Sequence, residues 1–124
     1  METIKSSAEI SQLFSTGRRL KTPYLTLIVG EQPKGKPKGD EEQHGLYGRV
    51  AFIAGKKLGN AVWRNRAKRR MRAICREVGG PWPGLDVIFL ARKGLTQAPY
   101  SKVLSACQKA SKRFVSEGRA SEDA

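Results

Sequence analysis

Acidic side chains are scarce in this sequence, and the segment from Lys56 to Arg76 contains none. The 124 residues include 24 Lys and Arg against 11 Asp and Glu, which gives a formal net charge of +13. The single histidine, His44, lies in a polar segment beside loose carboxylates, and no Ser/His/Asp set, Cys/His pair or cluster of metal ligands can be assembled. We therefore predict that the chain supplies no catalytic residue and no metal site of its own.

Long apolar runs are also absent, and cysteines are few. No stretch approaches the length of a transmembrane helix, and the first ten residues lack the apolar core of a signal peptide. Cys75 and Cys107 are isolated from one another in sequence, which favours two reduced core thiols over a disulfide. These features predict a cytoplasmic protein without a membrane partner.

The length and the apolar fraction of 39% suit one domain with a modest core. Hydrophobic periodicity, caps and turn residues predict helices at about 7–16, 61–78 and from 99 onward, and strands at 24–29, 46–54 and 85–91. The predicted order is α-β-β-α-β-α, an α+β fold arranged as a two-layer α/β sandwich. We expect the first two strands to form an antiparallel pair, and the strand–helix–strand unit at 46–91 to place two strands in parallel, so that the sheet is mixed.

Three further segments are interpreted by composition. Residues 18–21 are basic and predict a turn, and residues 31–45 are rich in Pro, Gly and charge and predict a mobile loop. Residues 119–124 follow Gly118 and predict a disordered tail. The single domain is therefore expected to span residues 1–118.

The helix that follows Asn60 combines an apolar stripe with cations on its other sides. The stripe recurs at helical spacing and consists of Trp63, Ala67, Met71, Ile74, Cys75 and Val78. An ordinary solvated helix mixes charges of both signs at i and i+4, so contact with a nucleic-acid backbone is favoured here. Because no helix-turn-helix partner precedes this helix, RNA is favoured over sequence-specific DNA. Gly59 and the helix N-terminus favour a phosphate site at the preceding turn.

The same segment carries a specific spacing pattern, K-x-G-x-A-x-x-R-N-x-x-K-R-x-x-R. It is met by Lys57, Gly59, Ala61, Arg64, Asn65, Lys68, Arg69 and Arg72. This pattern resembles the signature of the protein subunit of bacterial ribonuclease P. The likeness extends to Ile10-x-x-x-Phe14-x-x-Gly17 and to 86–93, so it covers about residues 4–114.

The resemblance implies a fold in which the strand–helix–strand crossover is left-handed, against the general preference for right-handed crossovers. It implies a subunit of the ribonuclease P holoenzyme, an endoribonuclease that removes the 5′ leader of precursor tRNA during tRNA maturation. In that family the catalytic component is an RNA, and the magnesium ions are bound by this RNA partner and the substrate rather than by a dedicated protein site. The implied partners are the ribonuclease P catalytic RNA, at one protein per RNA, and the precursor tRNA leader.

The resemblance also implies two sets of site residues. The catalytic-RNA-binding set is Lys56, Lys57, Asn60, Arg64, Asn65, Arg66, Lys68, Arg69 and Arg72. The leader-binding cleft is expected to be formed by Ile10, Phe14, Thr26, Ile28, Arg92 and Lys93. The alternative from charge alone is a structural or ribosome-associated RNA-binding protein without a role in cleavage, and a DNA-binding protein is a further rival.

Overall fold

The computed structural model describes residues 3–32 and 48–123, with side chains as far as Val115. Residues 33–45 of the predicted mobile loop, which include His44, lie outside the described residues. The helices are α1 (Ser7–Thr16), α2 (Ala61–Glu77) and α3 (Tyr100–Asp123), and the strands are β1 (Arg18–Lys21), β2 (Leu25–Glu31), β3 (Arg49–Ile53) and β4 (Leu85–Ala91). Two short 3-10 turns, Lys56–Leu58 and Lys93–Thr96, follow β3 and β4.

The four strands form one mixed sheet in the order β1-β2-β4-β3, which confirms the α+β class. β2 is antiparallel to β4, and β3 is parallel to β4, as the strand–helix–strand unit predicted. The predicted pairing of β2 with β3 is wrong, because β4 lies between them. Val87, Ile88 and Phe89 of β4 are apolar and fully buried, so this strand takes a central position where both of its faces are covered. The left-handed sense of the crossover stays an expectation from the resemblance.

The basic segment at 18–21 is a strand, and its prediction as a turn is wrong. β1 pairs antiparallel with β2, from Arg18 opposite Val29 to Lys21 opposite Thr26. Three of its four residues are cationic, which hides the strand pattern, yet cations are typical of edge strands because they discourage pairing with other chains. The Thr22 hydroxyl closes the hairpin, since it donates to the Leu25 carbonyl at 2.7 Å and accepts from the Leu25 amide at 3.0 Å.

Helix α3 extends further than the sequence predicted. Its backbone is helical to Asp123, whereas the sequence predicted an end near Gly118 and a disordered tail at 119–124. The residues after Gly118 include Arg, Ala and Glu, which favour helix once a helix is established. The assignment of residues 1–118 to one domain stays a prediction.

The main body is a sandwich of the sheet with α2 and α3. Its core joins one sheet face, which includes Leu25, Leu27 and Phe89, to both helices. The predicted stripe on α2 is confirmed: Ala67, Met71, Ile74 and Cys75 are fully buried, and Trp63 and Val78 are partly buried against the same core. The opposite sheet face has a smaller core under α1, formed by Ile4, Leu13, Ile28, Ala51 and Ile88. Because α2 is anchored by its stripe, its remaining sides face outward.

Both cysteines lie in the larger core as free, buried thiols, as predicted. Burial raises the pKa of Cys75 from 9.0 to about 11 and the pKa of Cys107 from 9.0 to about 12. A raised pKa means that the folded state holds the thiol proton more tightly than the unfolded state does. The resulting contribution to stability is fully present below pH 9 and is lost as the pH rises through about 11 to 12.

We therefore expect both thiols to resist a disulfide reagent such as DTNB at pH 8 in the folded protein. The thiolate is the species that attacks the reagent. Burial keeps the thiol protonated and also keeps the reagent away from the sulfur atom. Release of the chromophore should be slow in buffer and fast in concentrated urea, with two thiols reacting per chain. Rapid reaction of either thiol without denaturant would contradict the assignment of both residues to the core.

Candidate nucleic-acid interface

The N-terminus of α2 is fixed by a side-chain cap and a close glycine contact. The Asn60 side-chain oxygen accepts a hydrogen bond from the Trp63 amide at 2.9 Å, which satisfies one free donor of the first turn. Gly59 has an extended backbone, with φ of 175°, so no left-handed turn requires a glycine here. The requirement is steric, because a Cβ on Gly59 would lie 2.7 to 2.9 Å from atoms of Trp63. This packing fixes the turn that carries Lys56 and Lys57.

The predicted catalytic-RNA-binding residues lie on the preceding turn and on the sides of α2 that face away from the core. Arg64 and Lys68 are partly buried, and the other members are exposed. Among the side chains that the structure describes, none of these cations forms an ion pair with an acidic group. Their contact with RNA stays a prediction. We call this set the basic surface: Lys56, Lys57, Asn60, Arg64, Asn65, Arg66, Lys68, Arg69 and Arg72.

Arg70 is a cation of α2 that serves the fold. Its Nη1 donates to the carbonyl of Leu95 at 2.8 Å and to the carbonyl of Ala98 at 2.7 Å. Its guanidinium carbon lies 5.7 Å from the centroid of the Tyr100 ring, a cation–π contact. The Tyr100 hydroxyl donates to a carboxylate oxygen of Glu77 at 2.8 Å. Burial is the main cause that raises the pKa of Tyr100 to about 12, and this hydrogen bond is the second cause. Arg70 therefore ties α2 to the start of α3 and is set apart from the basic surface.

Helix α1 lies on the other face of the sheet, and two glycines allow its close approach. A Cβ on Gly17 would lie 2.6 Å from a methyl group of Ile28, and one on Gly30 would lie 2.5 Å from a methyl group of Leu13. Ser6 caps the helix as predicted, since its hydroxyl oxygen accepts from the Glu9 amide at 3.3 Å. α1 thus covers the part of β2 that contains Ile28 and Gly30.

A charged cluster ties the first turn of α1 to the sheet. The Arg49 guanidinium forms a bidentate pair with Asp86 at 3.0 and 2.7 Å, and it contacts the Glu9 carboxylate at 2.6 Å. The Gln32 amide also donates to Asp86, at 3.1 Å. Hydrogen bonding to Asp86 is the main cause that raises the pKa of Arg49 above its ordinary value. The Arg49–Asp86 pair is nearly buried, with 14% of the Arg49 side chain and 8% of the Asp86 side chain exposed.

The other end of this sheet face is less covered, and we call the region between it and α1 the cleft. Ile10 and Phe14 lie on the helix side, partly buried. Thr26, Leu90 and Ile53 are neighbours across β2, β4 and β3 and form the floor, with Leu90 and Ile53 partly exposed. Sequence reasoning missed Leu90 and Ile53, although the alternation along their strands places them on this face.

The remaining predicted cleft residues are placed differently from one another. Ile28 is fully buried, because Gly17, the residue after α1, lies directly against it, so it presents no surface to a ligand in this conformation. Thr26 is 6% exposed. Arg92 and Lys93 are exposed just after β4, and the Arg92 guanidinium donates to the Thr22 carbonyl at 3.2 Å. The structure therefore places Ile10 and Phe14 against the small core, Thr26 beside Leu90, and Arg92 and Lys93 just after β4, and it buries Ile28 under α1. Leader contact by all six stays a prediction.

Cations lie at or just after the ends of several strands at one edge of the sheet. β3 and β4 are parallel, so their carboxyl ends lie at the same edge. Lys56 and Lys57 follow β3, and Arg92 and Lys93 follow β4. Lys21 reaches this edge from β1, opposite Thr26. Cations at or just after the ends of three strands therefore lie at this edge of the sheet.

Within residues 3–32 and 48–123, no group of three His, Cys, Asp or Glu side chains is placed to hold a metal ion. In the same ranges, none of the helices has the length and apolar character that crossing a bilayer demands.

The chain matches the family model described as ribonuclease P over residues 1–115. The ribonuclease P protein component of Pseudomonas entomophila is 36% identical over 113 residues, which cover 86% of this chain and 85% of the relative. The ribonuclease P protein component of Symbiobacterium thermophilum is 32% identical over 104 residues, which cover 81% of this chain and 79% of the relative. Among solved structures, the Staphylococcus aureus RNase P protein superposes with a TM-score of 0.71 at 20% identity over 92% of this chain and 95% of that chain. The Thermotoga maritima RNase P protein superposes with a TM-score of 0.70 at 22% identity over 91% of this chain and 97% of that chain. These two structures support the fold.

Proposed function

The chain belongs to the ribonuclease P protein family, and we propose that it binds the catalytic RNA through its basic surface and the 5′ leader of precursor tRNA through the cleft beside α1. Proteins of this family are subunits of the ribonuclease P holoenzyme, an endoribonuclease of tRNA processing. The two RNA contacts then lie on two surfaces of one small domain. We further propose that one protein acts per RNA, in the cytoplasm.

The observation that carries the proposal is the unneutralised charge of the basic surface. Its cations lie on a helix and on the turn before it, and the helix is held by a stripe that packs into the core, so they face outward, and the described side chains offer them no acidic partner. Such a surface gains free energy when RNA phosphates replace their condensed counterions. The exposed cap residue Asn60 and the amides of the first turn add hydrogen-bond donors at the same end of the helix.

The cleft suits a single strand better than a duplex. Its floor is a strip of sheet between α1 and the carboxyl ends of β3 and β4, and its sides offer one aromatic ring, Phe14, together with aliphatic groups. Unpaired bases stack on such groups, and the cations at the edge lie where a backbone would leave the cleft. A mature tRNA lacks the leader and would leave this cleft empty.

The chain's own part in the reaction is binding and orientation. Asp86, the buried carboxylate of the described residues, has its oxygens engaged by Arg49 and Gln32, so it is poorly suited to bind a metal. We propose that the magnesium ions are held by the catalytic RNA and the substrate, where they activate water and stabilise the leaving oxygen. The protein then increases the fraction of time in which the precursor lies correctly on the RNA.

Reconstitution tests this function. We expect the protein alone to leave precursor tRNA intact, and to stimulate cleavage when it is added to a bacterial ribonuclease P RNA at limiting magnesium. Magnesium-dependent cleavage by the RNA-free protein, after contaminating nucleases are removed, would contradict the proposed division of labour. RNA binding without any stimulation would instead support a structural or ribosome-associated protein.

Arg66→Ala and Arg69→Ala should each weaken binding to the catalytic RNA and reduce its salt dependence. Both side chains are exposed on α2, and loss of one phosphate contact lowers the slope of log K against log salt by about 1. The measurement is a filter-binding titration at several salt concentrations. Arg113→Ala, an exposed arginine of α3, is the matched control and should keep the wild-type slope. Wild-type slopes in both α2 variants would show that this helix is not the RNA-binding face.

A further inference from the structure

The basic segment of β1 belongs to neither of the two predicted surfaces, yet its register places it beside the cleft. Arg19 pairs with Ile28 and Lys21 with Thr26, and residues directly opposite in an antiparallel pair project from the same sheet face. That face is the one covered by α1. Both side chains are exposed. β1 is an edge strand, so the two cations border the cleft along its open side.

Arg19 also contacts the aromatic ring of the cleft. Its Nη2 donates to the Phe14 carbonyl at 3.0 Å, and its guanidinium carbon lies 5.6 Å from the centroid of the Phe14 ring. The guanidinium therefore lies against one face of this ring, which is itself partly buried against the small core under α1. One of its five N–H groups is used by the carbonyl, and among the described side chains it has no acidic partner.

On the basis of the proposed leader cleft, we infer that Arg19 and Lys21 form a phosphate-binding wall along β1. Arg19 orients the Phe14 ring for stacking and offers its remaining N–H groups to the phosphate of the stacked nucleotide. Lys21 meets a neighbouring phosphate nearer the edge where Arg92 and Lys93 lie. The ligand is a single-stranded RNA leader, recognised through its backbone and one base, so contact is independent of the leader sequence.

A capping role offers a simpler account of Arg19, because the Phe14 carbonyl belongs to the last turn of α1, where cations are favourable. Capping would change the stability of the fold and would affect all ligands alike. A phosphate contact instead changes the salt dependence of leader binding. The two accounts therefore differ in a measurable quantity.

The test measures the affinity of the reconstituted holoenzyme for three ligands: precursor tRNA with a long leader, precursor tRNA with a one-nucleotide leader, and mature tRNA. Arg19→Gln and Lys21→Gln remove one charge each and are expected to weaken long-leader binding by roughly five- to twentyfold. The slope of log K against log salt should fall by about 0.7 per contact, the value for single strands. Affinities for the short-leader precursor and for mature tRNA should stay as in the wild type. Arg113→Ala on the opposite face is the matched control.

Equal losses for long-leader precursor and mature tRNA, or an unchanged salt slope in both variants, would overturn the inference. If Arg19→Gln melts below the assay temperature, Lys21→Gln alone decides, since none of the described hydrogen bonds or ion pairs involves its ammonium group. Failure of the proposed function would give a different result, because the wild-type holoenzyme itself would then show no preference for precursor over mature tRNA.

Discussion

Phe14→Ala is expected to weaken binding of precursor tRNA by about five- to a hundredfold, because stacking of a base on an aromatic ring contributes about 1–3 kcal/mol. Phe14 is the aromatic side chain of the cleft, partly buried, with one face of its ring covered by Arg19. The affinity for mature tRNA should not change, because that ligand has no leader to place in the cleft. The measurement is a pair of binding titrations of the reconstituted holoenzyme at one salt concentration.

Damage to the small core under α1 would also lower binding, so a control on the same helix is required. Leu13 is 8% exposed and packs in this core against Gly30, away from the open end of the cleft. Leu13→Ala should lower the melting temperature and leave the preference for precursor over mature tRNA intact, provided that both variants are assayed while folded. Equal losses for the two tRNAs in Phe14→Ala, or no loss for either, would rule out leader stacking on this ring.

Asp86→Asn is expected to produce the largest loss of stability, about 3–5 kcal/mol, because it leaves the buried Arg49 guanidinium without its bidentate partner. Both side chains are nearly inaccessible, and Asp86 also accepts from the Gln32 amide, so the substitution disturbs a network of hydrogen bonds. The residual Glu9 carboxylate is largely exposed and compensates poorly. Urea denaturation followed by circular dichroism measures the loss as a fall in the unfolding free energy.

Glu9→Gln is the matched control for this cluster. It removes the other carboxylate that contacts Arg49, but that carboxylate is 46% exposed, so the expected loss is at most about 1 kcal/mol. Replacing the buried pair together, as in Arg49→Met with Asp86→Leu, should recover much of the stability lost by Asp86→Asn. A loss below about 1 kcal/mol for Asp86→Asn would mean that the pair does not anchor the sheet as the geometry indicates.

The features that the sequence predicted correctly are those encoded by local periodicity. The stripe from Trp63 to Val78 fixes which side of α2 is buried, and therefore which side carries the basic surface. The caps at Ser6 and Asn60 are also local, since each depends on a residue three positions away. The residues of the basic surface came from the family resemblance as well as from charge, and the structure places them on outward sides of α2 and of the turn before it.

The errors concern contacts between distant parts of the chain. The position of β4 between β2 and β3 depends on which strand buries both of its faces, and adjacency in sequence favoured the wrong pair. The cations of β1 obscure the alternation of an edge strand, so the sequence did not predict the strand or the contact of Arg19 with Phe14. Ile28 and Thr26 share a strand face as predicted. Ile28 is nevertheless completely covered, because Gly17 allows the end of α1 to lie directly against it.

Arginines illustrate the same limit, because the sequence shows their charge but not their partners. Arg70 looks like any other cation of α2, whereas its guanidinium is bound to the carbonyls of Leu95 and Ala98, 25 and 28 positions away. Arg49 lies within a predicted strand, and its partner Asp86 is 37 positions away. Only the folded chain separates these structural arginines from those available to RNA.

The most direct test of the account is the ratio of the affinities for precursor and mature tRNA, measured for a bacterial ribonuclease P RNA with and without this protein. We expect the protein to increase the ratio in favour of the precursor, because only the precursor has a leader to occupy the cleft between α1 and the sheet. A ratio that is the same with and without the protein, under conditions in which the protein is bound to the RNA, would contradict the account.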